Sequence, residues 1–341
     1  MLPILLGTVI CAAMGSGALD HQRSADRDTV RYWDLPTGSH LAYVRISASR
    51  TASLPPVLYL HGGPGAYEVA SVSEYRPLAE RWARLGFDVY LYDQVGSGRS
   101  GRLHDPVQYT VARHVADLEA IRVTLGAQRL ILIGESWGAA LGAQYMARYP
   151  DRVARAVFVS PGAIDLSGAV HSPTPRFDEE MLAWVRTHRS TEEYRRCQIV
   201  DALMARDIHR AYERVGDATL DALFDAWVTE AILGRTVHDS SLVRSARMAG
   251  MGWWVWTVTN WDQRAHAPPI RSALHGYSGP VLVLHGTSDY LPDSLAIEYA
   301  TIFRRARLVQ VPQAGHLLWV DQPEVFAREI ERFLAQEAGA T

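Results

Sequence analysis

The sequence contains no lysine: all 34 of its basic residues are arginine. That absence removes a Schiff-base lysine and a Ser-Lys dyad from the available nucleophilic chemistries. Cysteine is almost as scarce. Only Cys11 and Cys197 occur, and removal of a leader carrying Cys11 would leave a single thiol and no internal disulfide. Long apolar runs are missing too, since the stretch from Leu2 to Met14 is too short to span a bilayer. No block of basic residues and no interleaving of arginine with aromatics is present, and the net charge is only −3. A nucleic-acid groove, an anionic-membrane patch and a membrane span are therefore not expected.

What remains is an ordinary globular composition, 48% apolar and 21% charged over 341 residues. That length suits one core with a sizeable insertion better than two full domains. At the start of the chain, the apolar run is followed by Gly15-Ser16-Gly17-Ala18, a small-x-small site for cleavage after Ala18. Residues 1–18 thus read as a signal peptide although no arginine precedes the run, which implies a secreted or periplasmic location; retention of the segment would imply a cytoplasmic one.

From Tyr43 onward, short β-branched runs alternate with helical stretches, the pattern of a mostly parallel sheet with helices on both faces. Pro56 to Leu60, Phe87 to Tyr92, Leu130 to Ile133 and Ala156 to Val159 are continuous apolar runs, as strands buried on both sides require. Val281 to Leu284 and Leu308 to Val311 resume the series. About 120 residues separate the fourth of these strands from the fifth, far more than a crossover needs. Amphipathic runs such as Glu179 to Thr187 and Thr219 to Leu233 fill that gap, so residues 162–275 read as a helical cap, and 19–161 with 276–341 as the core. The cap holds Trp184, Trp227, Trp253, Trp254, Trp256 and Trp261. Most are expected to pack the cap on itself, with one or two lining a pocket.

Gly134-Glu135-Ser136-Trp137-Gly138 directly follows one strand and directly precedes a helical run. That is the setting of a nucleophile elbow, in which a tight strand-to-helix turn projects the serine Oγ above the sheet edge. In the α/β-hydrolase fold, to which this context points, an acid and then a histidine follow the serine in chain order. Asp289, at the end of the strand from Val281, and His316, after the strand ending at Val311, fit those places. Asp165 is the rival acid, in the turn after Val159. His285 directly follows a strand and is expected to be buried. His61-Gly62-Gly63-Pro64-Gly65 follows an earlier strand, where this fold builds part of an oxyanion hole. The backbone N–H groups of Gly63 and Trp137 are assigned to it, and His61 to fixing the loop. No metal or cofactor is expected.

Three motifs, His61 to Gly65, Asp93-Gln94-Val95-Gly96-Ser97-Gly98-Arg99-Ser100, and Gly134 to Gly138, resemble those of the proline iminopeptidase family of serine peptidases. The resemblance runs from about Tyr43 to Leu334. It departs at Val95, where the family has arginine, and at Glu135, where it has glycine. It implies a Ser136-Asp289-His316 triad, a small-molecule or short-peptide substrate, and release of an N-terminal residue, often proline. It also implies that glutamates from two cap segments bind the substrate's ammonium group. Glu230 matches the first, whereas Ala249 stands in place of the second. An esterase or lactonase acting on a neutral ester is the alternative, because it needs no ammonium site. A ligand-binding protein without activity is the remaining one.

Overall fold

A computed structural model describes residues 30–49, 54–69, 71–165, 175–215 and 217–336. The expected leader and cleavage site lie outside the described residues. Eight strands form one sheet: β1 (Arg31–Asp34), β2 (His40–Ile46), β3 (Val57–Leu60), β4 (Val89–Tyr92), β5 (Leu130–Glu135), β6 (Val153–Val159), β7 (Val281–Gly286) and β8 (Ala306–Val311). Their order is β1-β2-β4-β3-β5-β6-β7-β8. The two antiparallel pairings, β1 with β2 and β2 with β4, open the sheet, and every later pairing is parallel. This is the expected sheet, with β1 and β2 added at one edge.

The central strands are VLYL, VYLY, LILIGE and VLVLHG, and every residue in them is buried. Helices cover both faces, so no position in these strands is left for a solvated polar residue. β8 is the other edge strand and is only partly buried, as an unpaired edge permits. The described helices and turns between β6 and β7 run from Glu179–His188 to Arg271–Leu274.

In that insertion the long aromatic helix Trp253–His266 carries Trp253 and Trp254, both fully buried and packed edge to face at 4.9 Å. Phe177 lies 4.5 Å from Trp253. Burial of these rings holds the insertion together and fulfils the expectation that most of its tryptophans serve packing. Polar ties fasten it to the core. Arg102 pairs with Asp221 at 2.8 Å, Gly252 donates to the carbonyl of Gly65 at 2.7 Å, and Leu317 donates to that of Thr236 at 2.9 Å. The expected helix from Thr219 to Leu233 is shorter than its pattern suggests: the α-helix Asp217–Trp227 gives way to one wide π turn, Val228–Ile232. Such a turn inserts an extra residue, so the residues after it leave the register of the helix before it. Among the described residues no helix is long and apolar enough to cross a membrane.

Candidate active site

Ser136 lies between the end of β5 and the helix Trp137–Arg148, with φ 53° and ψ −120°. Few side chains tolerate that conformation, and the turn holds it because glycines stand two positions away on either side. A Cβ on Gly138 would collide with the carbonyl oxygen of Leu60, and one on Gly134 with the backbone of Gly138. The helix that follows leaves its first N–H groups without partners in a preceding turn, Trp137 among them.

His316 and Asp289 come from the loops after β8 and β7. The imidazole Nδ1 lies 2.9 Å from Asp289 Oδ1 and 3.2 Å from Oδ2, and both side chains are almost wholly buried. Burial pushes the Asp289 carboxyl up, but the hydrogen bond from His316 and the charge of that ring outweigh it and bring it below its ordinary value. Leu291 donates a backbone N–H to Oδ1 at 2.9 Å. The bond through Nδ1 leaves Nε2 of His316 for the cavity.

Ser136 and His316 line one cavity of about 690 Å³, with Gly62 and Gly63 beside them and Trp227 and Trp256 in its wall. Among the described residues no hydrogen bond joins Ser136 to His316. Such bonds are often long in free enzymes and tighten when substrate arrives.

Asp165 is not part of this group: it pairs with Arg271 at 2.8 Å. His285 is buried behind Asp289, its Nδ1 at 3.5 Å from Oδ2. His61 fixes its loop as expected. Its Nδ1 lies 2.9 Å from the carbonyl of Gly62, its Nε2 accepts the N–H of Gln94 at 2.9 Å, and burial lowers its pKa to about 4.

The expected ammonium-binding role of Glu230 does not fit its position. Its side chain is 46% exposed, pairs with Arg189 at 2.9 Å and does not line the cavity, whereas Val228 and Ile232 of the same turn do. The π turn is the physical reason: it directs Val228 and Ile232 to the cavity and Glu230 away from it. Ala249, by contrast, does line the cavity.

Three contributors were not legible in advance. Tyr290 packs its ring 4.7 Å from His316. Asp321 accepts the N–H of Gly315 at 2.7 Å and of His238 at 2.8 Å, tying the His316 loop to the cap. Glu68 lines the cavity with a carboxylate that is 1% exposed. Only its place three residues after the glycine loop could have signalled it.

A family model for the alpha/beta hydrolase fold matches residues 55–323. The proline iminopeptidase of Levilactobacillus brevis is 26% identical over 313 residues, covering 88% of this chain and 95% of that protein. The enol-lactonase of Burkholderia xenovorans LB400 superposes with a TM-score of 0.63 at 18% identity, covering 90% of this chain and all of that one. The proline iminopeptidase of Mycobacterium smegmatis does so with a TM-score of 0.55 at 20% identity, covering 91% of this chain and 99% of that one. The resemblance carried by the three motifs thus extends over most of the chain, and the sheet order, the elbow and the family match together establish that the chain is a hydrolase belonging to the α/β-hydrolase fold family.

Proposed function

We propose that this protein is a serine hydrolase acting through an acyl-enzyme, with Ser136 as nucleophile, His316 as base and Asp289 as the group that orients it. The observation that carries this reading is the buried His316–Asp289 pair opening onto the cavity that also holds the strained Ser136. Ser136 Oγ attacks the substrate carbonyl carbon while Nε2 of His316 takes its proton. The N–H groups of Gly63 and Trp137 stabilise the oxyanion, each contributing about 3 kcal/mol. Collapse expels the leaving amine or alcohol with the proton from His316, and water then cleaves the acyl-serine by the same route. Asp289 stays ionised throughout and stabilises the imidazolium.

The substrate proposed is a small peptide or amide, with an N-terminal residue released as the name of the L. brevis relative describes. The second reading, a carboxylesterase or lactonase, is favoured by the same two facts that remove the expected cap carboxylates, Ala249 in the wall and Glu230 outside it. A fluorophosphonate probe should add to Ser136 alone, located by peptide mass mapping. Hydrolysis rates over aminoacyl anilides and simple esters then separate the two readings. Labelling elsewhere, or none on active protein, would overturn the nucleophile.

A further inference from the structure

Glu68 and Glu135 form a second chemical feature of the cavity, and both come from the core rather than the cap. Glu135 precedes the nucleophile, is 7% exposed and accepts a hydrogen bond from the Tyr59 hydroxyl at 3.2 Å. Glu68 is held from behind. Asp93 accepts the N–H of Glu68 at 2.6 Å and of Val69 at 2.8 Å, while its other oxygen takes the N–H of Arg99 at 2.7 Å. The Asp93 motif therefore positions the segment that carries Glu68.

The Oε2 atom of Glu68 is buried and has no hydrogen-bond partner. Native proteins rarely leave a buried carboxylate oxygen unmet, because its desolvation is then uncompensated. Among the described residues neither glutamate forms an ion pair. Arg235 and Arg247 line the cavity but lie exposed on the cap side. Glu74 and Glu180 add negative charge at the exposed margin. The cavity thus carries two buried carboxyl groups with no arginine among the described residues paired to either, and Tyr67, Tyr75 and Trp256 are among the rings that line it. Among the described residues no group of three or more His, Cys, Asp or Glu is arranged to hold a metal ion. Two carboxylates beside aromatic faces suit an organic ammonium.

We infer that Glu68 and Glu135 bind a protonated amine on the acyl part of the substrate, beside Ser136, and that this core-borne pair selects amine-bearing acyl groups. The inference rests on the serine-hydrolase reading but not on amide cleavage. Burial raises both carboxyls, Glu135 to about 7, and the charge of Glu135 raises Glu68 further. The other groups that bear on them are Glu74 and Asp93, which raise Glu68, Asp289, which raises Glu135, and His316 with the hydroxyls of Tyr59 and Tyr75, which lower Glu135. An arriving ammonium favours the ionised pair, so its binding releases protons near neutral pH.

The test compares 4-nitrophenyl esters of proline and N-acetylproline, whose leaving group is the same, so the ratio of their kcat/KM reads the amine alone. We expect the free amine to be preferred by at least tenfold. Glu68→Gln and Glu135→Gln should each cut that ratio about tenfold, whereas Glu230→Gln should leave it within twofold. Calorimetry of prolinamide binding to Ser136→Ala in buffers of different ionisation enthalpy should show proton release at pH 7. N-acetylprolinamide should show none. A ratio near one, or a preference that survives both glutamine variants, overturns the inference. If a variant fails to fold, the wild-type ratio and the proton release still decide. If proline anilide resists cleavage while the esters show the preference, aminopeptidase activity is lost and the ammonium site stands.

Discussion

The floor of the cavity is assembled from the ends of parallel strands, whereas its roof comes from the insertion between β6 and β7. The floor residues are held in more than one way: Ser136 by close backbone packing of glycines, His316 by Asp289, Glu68 by Asp93. Those of the roof that face the cavity come partly from helices, which carry Trp227 and Trp256, and partly from a π turn and the short turns and loops after it, where Arg235 and Arg247 are exposed. The contrast teaches that chemistry and substrate choice draw on different kinds of order. A sheet edge fixes a reacting atom to a fraction of an ångström because neighbouring strands share register, and a helical insertion cannot do so at its turns.

The sharpest way to break this comparison is to remove the nucleophile. Ser136→Ala should lower kcat by roughly 10⁶-fold, as loss of such a serine does in a comparable triad, with little change in melting temperature. A residual rate near wild type on any substrate would mean that the floor does not carry the reaction.

A second test stays on the floor and compares two acids. Asp289→Asn should reduce kcat by roughly 10⁴-fold, because the imidazole loses the partner that fixes its tautomer. Asp165→Asn, which leaves Arg271 its other partner Glu298, should change it less than about twofold. Steady-state kinetics on one ester suffices, and the reverse order would move the acid to the loop after β6.

The roof should fail differently. Trp253→Ala opens a cavity inside the cap and should cost about 3–5 kcal/mol of stability, read from urea midpoints. The folded fraction should keep its kcat on nitrophenyl acetate. A fall in kcat as large as that of Asp289→Asn would show that floor and roof are not separable.

The smallest effect concerns pH. Glu135 keeps its proton up to about pH 7 when folded, against an ordinary value of 4.5. The unfolded chain therefore binds fewer protons between those values, so stability falls as pH rises from about 4.5 to 7. The loss approaches about 3 kcal/mol and is complete above the folded value. Glu135→Gln should flatten that slope in denaturant midpoints measured between pH 5 and pH 8.

The division between floor and roof also explains what could be read from the sequence. Continuous apolar runs marked β3 to β7 because strands buried on both faces leave no polar alternation. Ser136, Asp289 and His316 were legible because each sits at a fixed offset from such a strand. β1, a short edge strand, and β2 beside it were not delimited, since strands of mixed burial carry little pattern. Glu230 was matched to the ammonium site through the resemblance of its segment alone, and no residue there announces the π turn that carries its side chain out to Arg189. Glu68 was missed because its role arises from a carboxylate on a distant strand end, Asp93, whose partnership has no spacing rule.

The strand order carries one further consequence, for how the protein is made. The proposed nucleophile, Ser136, follows a strand in the middle of the sheet, while the proposed base, His316, follows its outermost strand. At synthesis rates of roughly 5–20 residues per second, His316 leaves the ribosome on the order of ten to forty seconds after Ser136. Over about the last few seconds of that interval the apolar strand β7 has emerged with no β8 beside it, and until His316 follows the chain lacks its proposed base. A ribosome that stalls before residue 306 would therefore release a polypeptide with an exposed sheet edge and a serine lacking its base, prone to aggregate but harmless as a catalyst.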